Sequence, residues 1–134
     1  MSAIVLFAAL SLAAFQNADP ETVHITFRPK AGLEAELKKV IADHWATATK
    51  LGLVQPEPHV TVEMKDEAGR PYFVDIFTWR DRDIPDNAPA AILAIWADMN
   101  RLTEARGDRP GLDIKEVKLV PGRASGMQSS RPGG

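Results

Sequence analysis

A chain of 134 residues is long enough for one domain. At this size a single hydrophobic core covers roughly two thirds of the surface an unfolded chain exposes. Sixteen Lys and Arg against eighteen Asp and Glu leave a formal charge of −2, so there is no electrostatic footprint for nucleic acid and no general attraction to anionic membranes. Cysteine is absent, which excludes disulfides, thiolate metal sites and thiol nucleophiles together.

The segment SAIVLFAALSLAAF is a continuous apolar run followed by the polar QNADPE. It is shorter than the ~20 residues needed to cross the hydrocarbon of a bilayer. It has the length of the apolar region of a secretory signal, with Ser11, Ala13 and Ala14 near a cleavage point, although no Lys or Arg precedes it. Residues 1–19 are therefore expected to direct export to the periplasm or the exterior, leaving no stable membrane span in the mature protein. The alternative is an N-terminal helix packed on a cytoplasmic domain. The folded domain is expected over residues 20–121. The Gly/Ser/Pro-rich stretch 122–134 is expected to be a disordered tail.

Val23–Arg28 alternates, with Val23, Ile25 and Phe27 against His24, Thr26 and Arg28, the pattern of a strand with one buried face. From Leu33 the period becomes helical: Leu33, Leu37, Val40, Ile41, Ala48 and Leu51 share a stripe, and Lys50 and Gly52 suit the C-terminus. QPEP blocks any continuation of that helix. The stretch HVTVEMK (59–65) predicts a second strand, DEAGR a Gly-containing turn, and Tyr72–Trp79 the returning strand of a hairpin. Asp86 or Asn87 is the expected N-cap of a second helix, with Pro89 in its first turn and Ile92, Ile95, Trp96, Met99 and Leu102 on one face. LDIKEVKLV closes the series as a strand with a bulge expected near Lys115–Glu116.

The order is β-α-β-β-α-β, which predicts an α+β, ferredoxin-like antiparallel sheet with both helices on one face and the third strand in the middle. That strand, YFVDIFTW, is apolar on both alternating sets: Tyr72, Val74 and Ile76 on one, Phe73, Phe77 and Trp79 with Asp75 on the other. The aromatic set is expected on the face without helices. Left wet, it would form a patch larger than soluble monomers usually carry. A second copy of the same sheet is the economical cover, so Phe73, Asp75, Phe77, Arg28 and Thr26 are expected at a two-fold interface, with Asp75 paired, for example to Arg28.

The element order, the strand-closing FTW with its acidic turn, and ILAIWADM on the second helix resemble the dimeric α+β-barrel superfamily. Within it the antibiotic-biosynthesis-monooxygenase-like (ABM-like) proteins are the nearest match, over Val23–Val120. The resemblance implies a homodimer of face-to-face sheets and a small cavity between each sheet and its own helices. Some relatives oxygenate aromatic polyketides without a cofactor; others degrade haem. Haem-degrading relatives use a His in or before the second helix, and no His stands between Trp79 and Gly107, so that activity is not carried over.

His44 falls at the centre of the first helical stripe. A desolvated imidazole there is a candidate general base, or else a neutral core histidine bonded to a backbone carbonyl. Trp79, Trp96, Trp45 and Met99 are the candidate walls of a ligand pocket, each with core packing as the plain alternative. His24 and His59 are expected on one face, ~10 Å apart across the intervening strand. No third ligand accompanies them, so they read as surface or interface histidines and no metal site is expected. The expected function is small-molecule binding by a dimeric barrel, as a cofactor-independent monooxygenase of a small aromatic or polyketide-like compound. The alternative is a non-catalytic dimerisation module.

Overall fold

The computed structural model describes residues 19–122. The apolar N-terminal run and the tail beyond residue 122, with the export signal and the disorder expected of them, lie outside the described residues. The elements are β1 (Glu21–Phe27), α1 (Glu34–Lys50), β2 (Val54–Lys65), β3 (Pro71–Trp79), a 3-10 turn (Pro85–Asn87), α2 (Ala90–Leu102) and β4 (Leu112–Glu116). They build a ferredoxin-like α+β layer pair: an antiparallel sheet in the order β2-β3-β1-β4, with α1 and α2 packed on one face.

The alternation of β1 decides which face is covered. Val23, Ile25 and Phe27 are buried against Leu37, Ile41 and Ala48 of α1 and Ile92, Met99 and Leu102 of α2. In the β1–β3 register Val23 stands opposite Phe77, Ile25 opposite Asp75 and Phe27 opposite Phe73. Residues facing each other across an antiparallel pair share a face. The aromatic set of β3 therefore points into the helices, and Phe73, Asp75, Phe77 and Trp79 are each at most 3% exposed.

This corrects the expectation that Phe73, Asp75 and Phe77 lie on the face without helices. The uncovered face carries Tyr72, Val74 and Ile76 of β3, His24 and Thr26 of β1, with Arg28 just past its end, and Val60, Val62 and Met64 of β2. Nor does Asp75 pair with Arg28, whose guanidinium donates to Pro110 O at 2.6 Å. His24 and His59 lie on opposite faces, because His24 stands opposite Ile76 and His59 opposite Phe77.

The hairpin forms as expected. Asp66 Oδ1 accepts from the N–H of Ala68 and of Arg70, and Gly69 supplies the positive φ of 79°. β2 begins earlier than HVTVEMK, at Val54 opposite Trp79, with an irregularity before His59 meets Phe77. Its prolines are tolerated because β2 is an edge strand. β4 is shorter than expected: its register with β1 is regular from Leu112 to Glu116, without a bulge at Lys115–Glu116. Asp86 and Asn87 belong to the 3-10 turn, and Pro89 takes the N-cap position of α2, with no side-chain cap.

Arg106 ties the far end together. Its guanidinium pairs with Asp66 Oδ2 at 3.0 Å and donates to Pro29 O and Pro71 O, joining the hairpin turn to the ends of β1 and β3.

Phe77 is completely buried between the sheet and α1. Truncating it to alanine leaves a cavity that the close-packed layers cannot refill. Phe77→Ala is expected to lower unfolding free energy by ~3–5 kcal/mol in a urea titration at unchanged slope.

Candidate functional site

Helical spacing brings His44 to the inner face of α1, where it is 2% exposed. Its ring lies 5.6 Å from Phe77, 5.8 Å from Trp79 and 6.3 Å from Trp96, centroid to centroid. The partner of His44 is a side chain rather than a backbone carbonyl: the indole Nε1–H of Trp96 donates to His44 Nε2 at 3.0 Å. A nitrogen that accepts carries no proton, so the neutral ring bears its hydrogen on Nδ1. Burial, with a smaller contribution from the charge of His59, pulls the His44 pKa down from 6.5 to about 4.

The indoles of Trp79 and Trp96 meet edge to face, 6.1 Å apart. Beyond them lies a cavity of about 260 Å³ between α2, β1 and β4. Trp79, Trp96 and Met99 wall it together with Val23, Ile25 and Ile114, while Glu21 and Asn100 supply its charged and amide groups. Three of the four expected pocket residues are thus brought together. The volume, just under the ~300 Å³ at which ligand pockets begin, suits a molecule of one or two rings.

His44 does not line this cavity. It stands behind the two indoles and sets the orientation of Trp96. Glu21, Asn100 and Ile114 escaped the sequence reading. Their signal is register: Val23 and Ile25 belong to the covered face, and Ile114 stands opposite Ile25.

Trp45, the fourth expected wall, faces elsewhere. It stacks on His59 with ring centroids 3.7 Å apart and planes 8° from parallel, and it lines a second cavity of about 300 Å³ between α1 and the edge of the sheet. His59 Nε2 is 3.2 Å from Asp75 Oδ1, which also accepts the Thr61 hydroxyl at 2.7 Å. Burial pushes the Asp75 carboxyl above its ordinary pKa, and the Thr61 hydroxyl and His59 oppose that rise. Thr26 and Arg28 lie on the uncovered face. Among the described residues no group of three or more His, Asp or Glu side chains is placed to hold a metal ion.

Together the fold and the Trp-walled cavity define a ferredoxin-like protein with a small apolar pocket between its sheet and its helices. No protein-family model matches the sequence, and no curated protein matches it. Solved structures do. The chain is similar to SnoaB of Streptomyces nogalater, a cofactor-independent oxygenase, at 18% identity over 79% of this chain and 98% of that one, with a TM-score of 0.58. It is similar to Rv0793 of Mycobacterium tuberculosis at 12% identity over 78% and 99%, with a TM-score of 0.55. An antibiotic biosynthesis monooxygenase matches at 14% identity over 75% and 99%, with a TM-score of 0.55. The chain has the ABM-like fold.

The depressed His44 pKa has a sign. At a pH above 6.5 the ring is neutral folded or unfolded and costs nothing. As pH falls from 6.5 toward 4 the unfolded chain takes up a proton that the native ring refuses, and stability drops by as much as ~3 kcal/mol. Asp75, whose folded pKa is raised, acts in the opposite direction at acid pH. The contribution of His44 is therefore read as a difference. His44→Gln, which keeps an acceptor for the Trp96 N–H, is expected to lose less stability than wild type between pH 7 and 5 in urea titrations. Parallel pH profiles would show that the native ring is protonated.

Proposed function

We propose that this chain is a homodimeric small-molecule-binding protein that works as a cofactor-independent monooxygenase on a small aromatic or polyketide-like compound. The observation that carries the reading is the cavity walled by Trp79 and Trp96, with its apolar lining and two flanking indoles. Flat rings pack favourably edge to face or offset against indoles. The likeness to an oxygenase of this fold is a supporting analogy. Oxygenation without a cofactor requires a substrate that supplies its own electrons: an activated methylene takes up dioxygen and leaves as a carbonyl plus water. The protein then has to hold the substrate, exclude bulk water and accept a proton. Glu21 is the acid–base side chain on the cavity wall.

A non-catalytic reading is favoured by one observation: the lone pair of His44 Nε2 is already engaged by Trp96, so His44 contributes no free base to the cavity. In that reading the ligand is bound and not turned over.

The dimer rests on the uncovered face. Val60, Val62 and Met64 are 46%, 41% and 45% exposed there, beside Val74 and Ile76 of the central strand. A second copy laid sheet to sheet removes this aliphatic strip from water by a self-complementary contact. The interface is thus proposed around β2 and β3 with Thr26 and Arg28, without Phe73, Asp75 or Phe77. No described helix is long and apolar enough to cross a membrane.

Two measurements test the proposal. In sedimentation at micromolar concentration the wild type is expected to run as a dimer and Val62→Glu as a folded monomer; a monomeric wild type removes the dimer. In a thermal-shift screen with two-ring compounds, naphthols and the methylene-bearing 2-tetralone, wild type is expected to gain melting temperature. Ile114→Trp, which fills the cavity from an exposed strand position, should lose that gain. His44→Leu, which leaves the Trp96 N–H without its acceptor, should weaken binding. Dioxygen uptake with the same compounds by metal-free protein supports the oxygenase. Binding without uptake leaves the non-catalytic reading.

A further inference from the structure

A third cavity, of about 270 Å³, lies beside the hairpin turn at the far end of the sheet, and charged side chains make up most of its wall. Arg28, Asp66, Glu67, Tyr72, Arg106 and Arg109 line it, and none of them lines either apolar cavity. The backbone forces its three guanidinium groups together. Arg106 and Arg109 exchange N–H···O bonds of 2.9 and 3.1 Å across a tight turn in which Gly107 takes a φ of 65°. Arg28 is drawn alongside by the same loop: its N–H donates to Gly111 O at 2.7 Å and its guanidinium to Pro110 O at 2.6 Å. Like charges set opposite one another in an antiparallel pair are unfavourable, so this gathering needs anions.

Two carboxylates in the wall answer the three arginines, and they do so unequally. Asp66 is fully engaged: Oδ1 accepts the N–H groups of Ala68 and Arg70, and Oδ2 accepts Arg106 Nη1 at 3.0 Å. Glu67 meets Arg109 at 3.3 Å, but their side chains are 81% and 54% exposed, so water screens the pair. Arg28 forms no ion pair with any described carboxylate; Pro110 O is its side-chain acceptor. Arg106 keeps its Nε–H buried without an acceptor, a state that buried donors rarely hold. Three guanidinium groups against two carboxylates leave the wall one positive charge in surplus and short of acceptors.

We propose that this pocket is an anion site, which binds a small carboxylate through Arg28 and Arg109. Guanidinium groups take carboxylate oxygens by charge-assisted, often paired, hydrogen bonds. The ligand supplies the acceptors that Arg28 lacks and displaces the exposed Glu67 carboxylate from Arg109. A surplus of one charge matches a monoanion better than a phosphate dianion. Arg106, tied to Asp66, Pro29 O and Pro71 O, is the fixed back of the pocket and does not have to move. Arg28 borders the sheet face proposed for the second copy, while Glu67 and Arg109 form the open side. All the lining residues come from one chain, so the site is complete without the partner.

The test titrates propionate into the nitrogen-15-labelled full chain in a chloride-free zwitterionic buffer, following the arginine Nε–H resonances. Wild type is expected to saturate in the millimolar range, with the Arg28 and Arg109 signals moving together. Arg28→Gln and Arg109→Gln should each weaken the titration about tenfold, with unchanged melting temperatures showing that the variants remain folded. Glu67→Gln, at a highly exposed position, frees Arg109 and should tighten binding roughly twofold or more. Arg70→Gln removes an arginine outside the pocket, paired with Glu104, and should titrate as wild type. Val62→Glu, the monomeric variant, should do the same. A linear, unsaturated response in wild type overturns the proposal. So does an Arg28→Gln titration equal to wild type, weaker binding in Glu67→Gln, or a loss in Arg70→Gln or Val62→Glu. Inorganic phosphate binding more tightly than propionate at neutral pH overturns the assignment to a carboxylate.

Discussion

An inward-facing hydrogen bond joins the two helices across the middle of the layer: the indole N–H of Trp96 on α2 reaches the Nε2 of His44 on α1. His44 is 2% exposed and Trp96 half-buried, and an unmet donor or acceptor buried there costs ~1–3 kcal/mol. The bond therefore constrains how α1 and α2 sit over the sheet. It also sets the imidazole tautomer, while burial keeps the ring neutral among Phe77, Trp79 and Trp96. Trp79 and Trp96, held edge to face, are left as the wall of the apolar cavity. The histidine acts through the indole it holds, and its place is structural before it is chemical.

The central strand divides the molecule's tasks by parity. Odd-numbered residues from Phe73 to Trp79 lie under the helices and supply the core, the indole wall and one buried acid. Even-numbered residues from Tyr72 to Thr78 lie on the open face, where Thr22 and Thr78 pair through their hydroxyls at 2.7 Å and the aliphatic strip of β2 runs alongside. Asp75 is the exception to an otherwise apolar inner set. A lone buried carboxylate would be strongly destabilising. This one has Thr61 and His59 on the adjacent strand as partners, and the position of the hairpin turn puts them there.

Much of the fold was legible because its signals are local. The alternation of β1, the helical stripes with Gly52 past α1, and the DEAGR turn each specify an element without reference to the rest. His44 was legible for the same reason: helical spacing alone places it mid-stripe. Trp79, Trp96 and Met99 could be gathered into one pocket once the helices lay on the sheet. The facing of β3 was not legible from its own residues. Period two separates the strand into two sets but does not say which is inside, and both sets here are apolar. The deciding information lay in the neighbours. The inner set of β1 is unambiguous, and a turn over 66–70 would have placed Thr61 opposite Asp75 and His59 opposite Phe77. That register also holds the His59–Asp75 pair, hidden so long as both histidines were read on one face. The early start of β2 at Val54 was masked by prolines that only an edge strand accepts. The bulge expected in β4 was a misreading of residues that follow the strand's end at Glu116.

The arrangement turns on the state of the His44 ring, which a histidine-selective long-range proton–nitrogen NMR spectrum reads directly. His44 is expected to show a protonated Nδ1 and a bare Nε2, and to stay neutral as pH falls through the ordinary histidine range, with the Trp96 indole N–H slow to exchange. A ring that protonates near 6.5, or one that carries its hydrogen on Nε2, would contradict the arrangement of helices, indoles and cavity built on that bond.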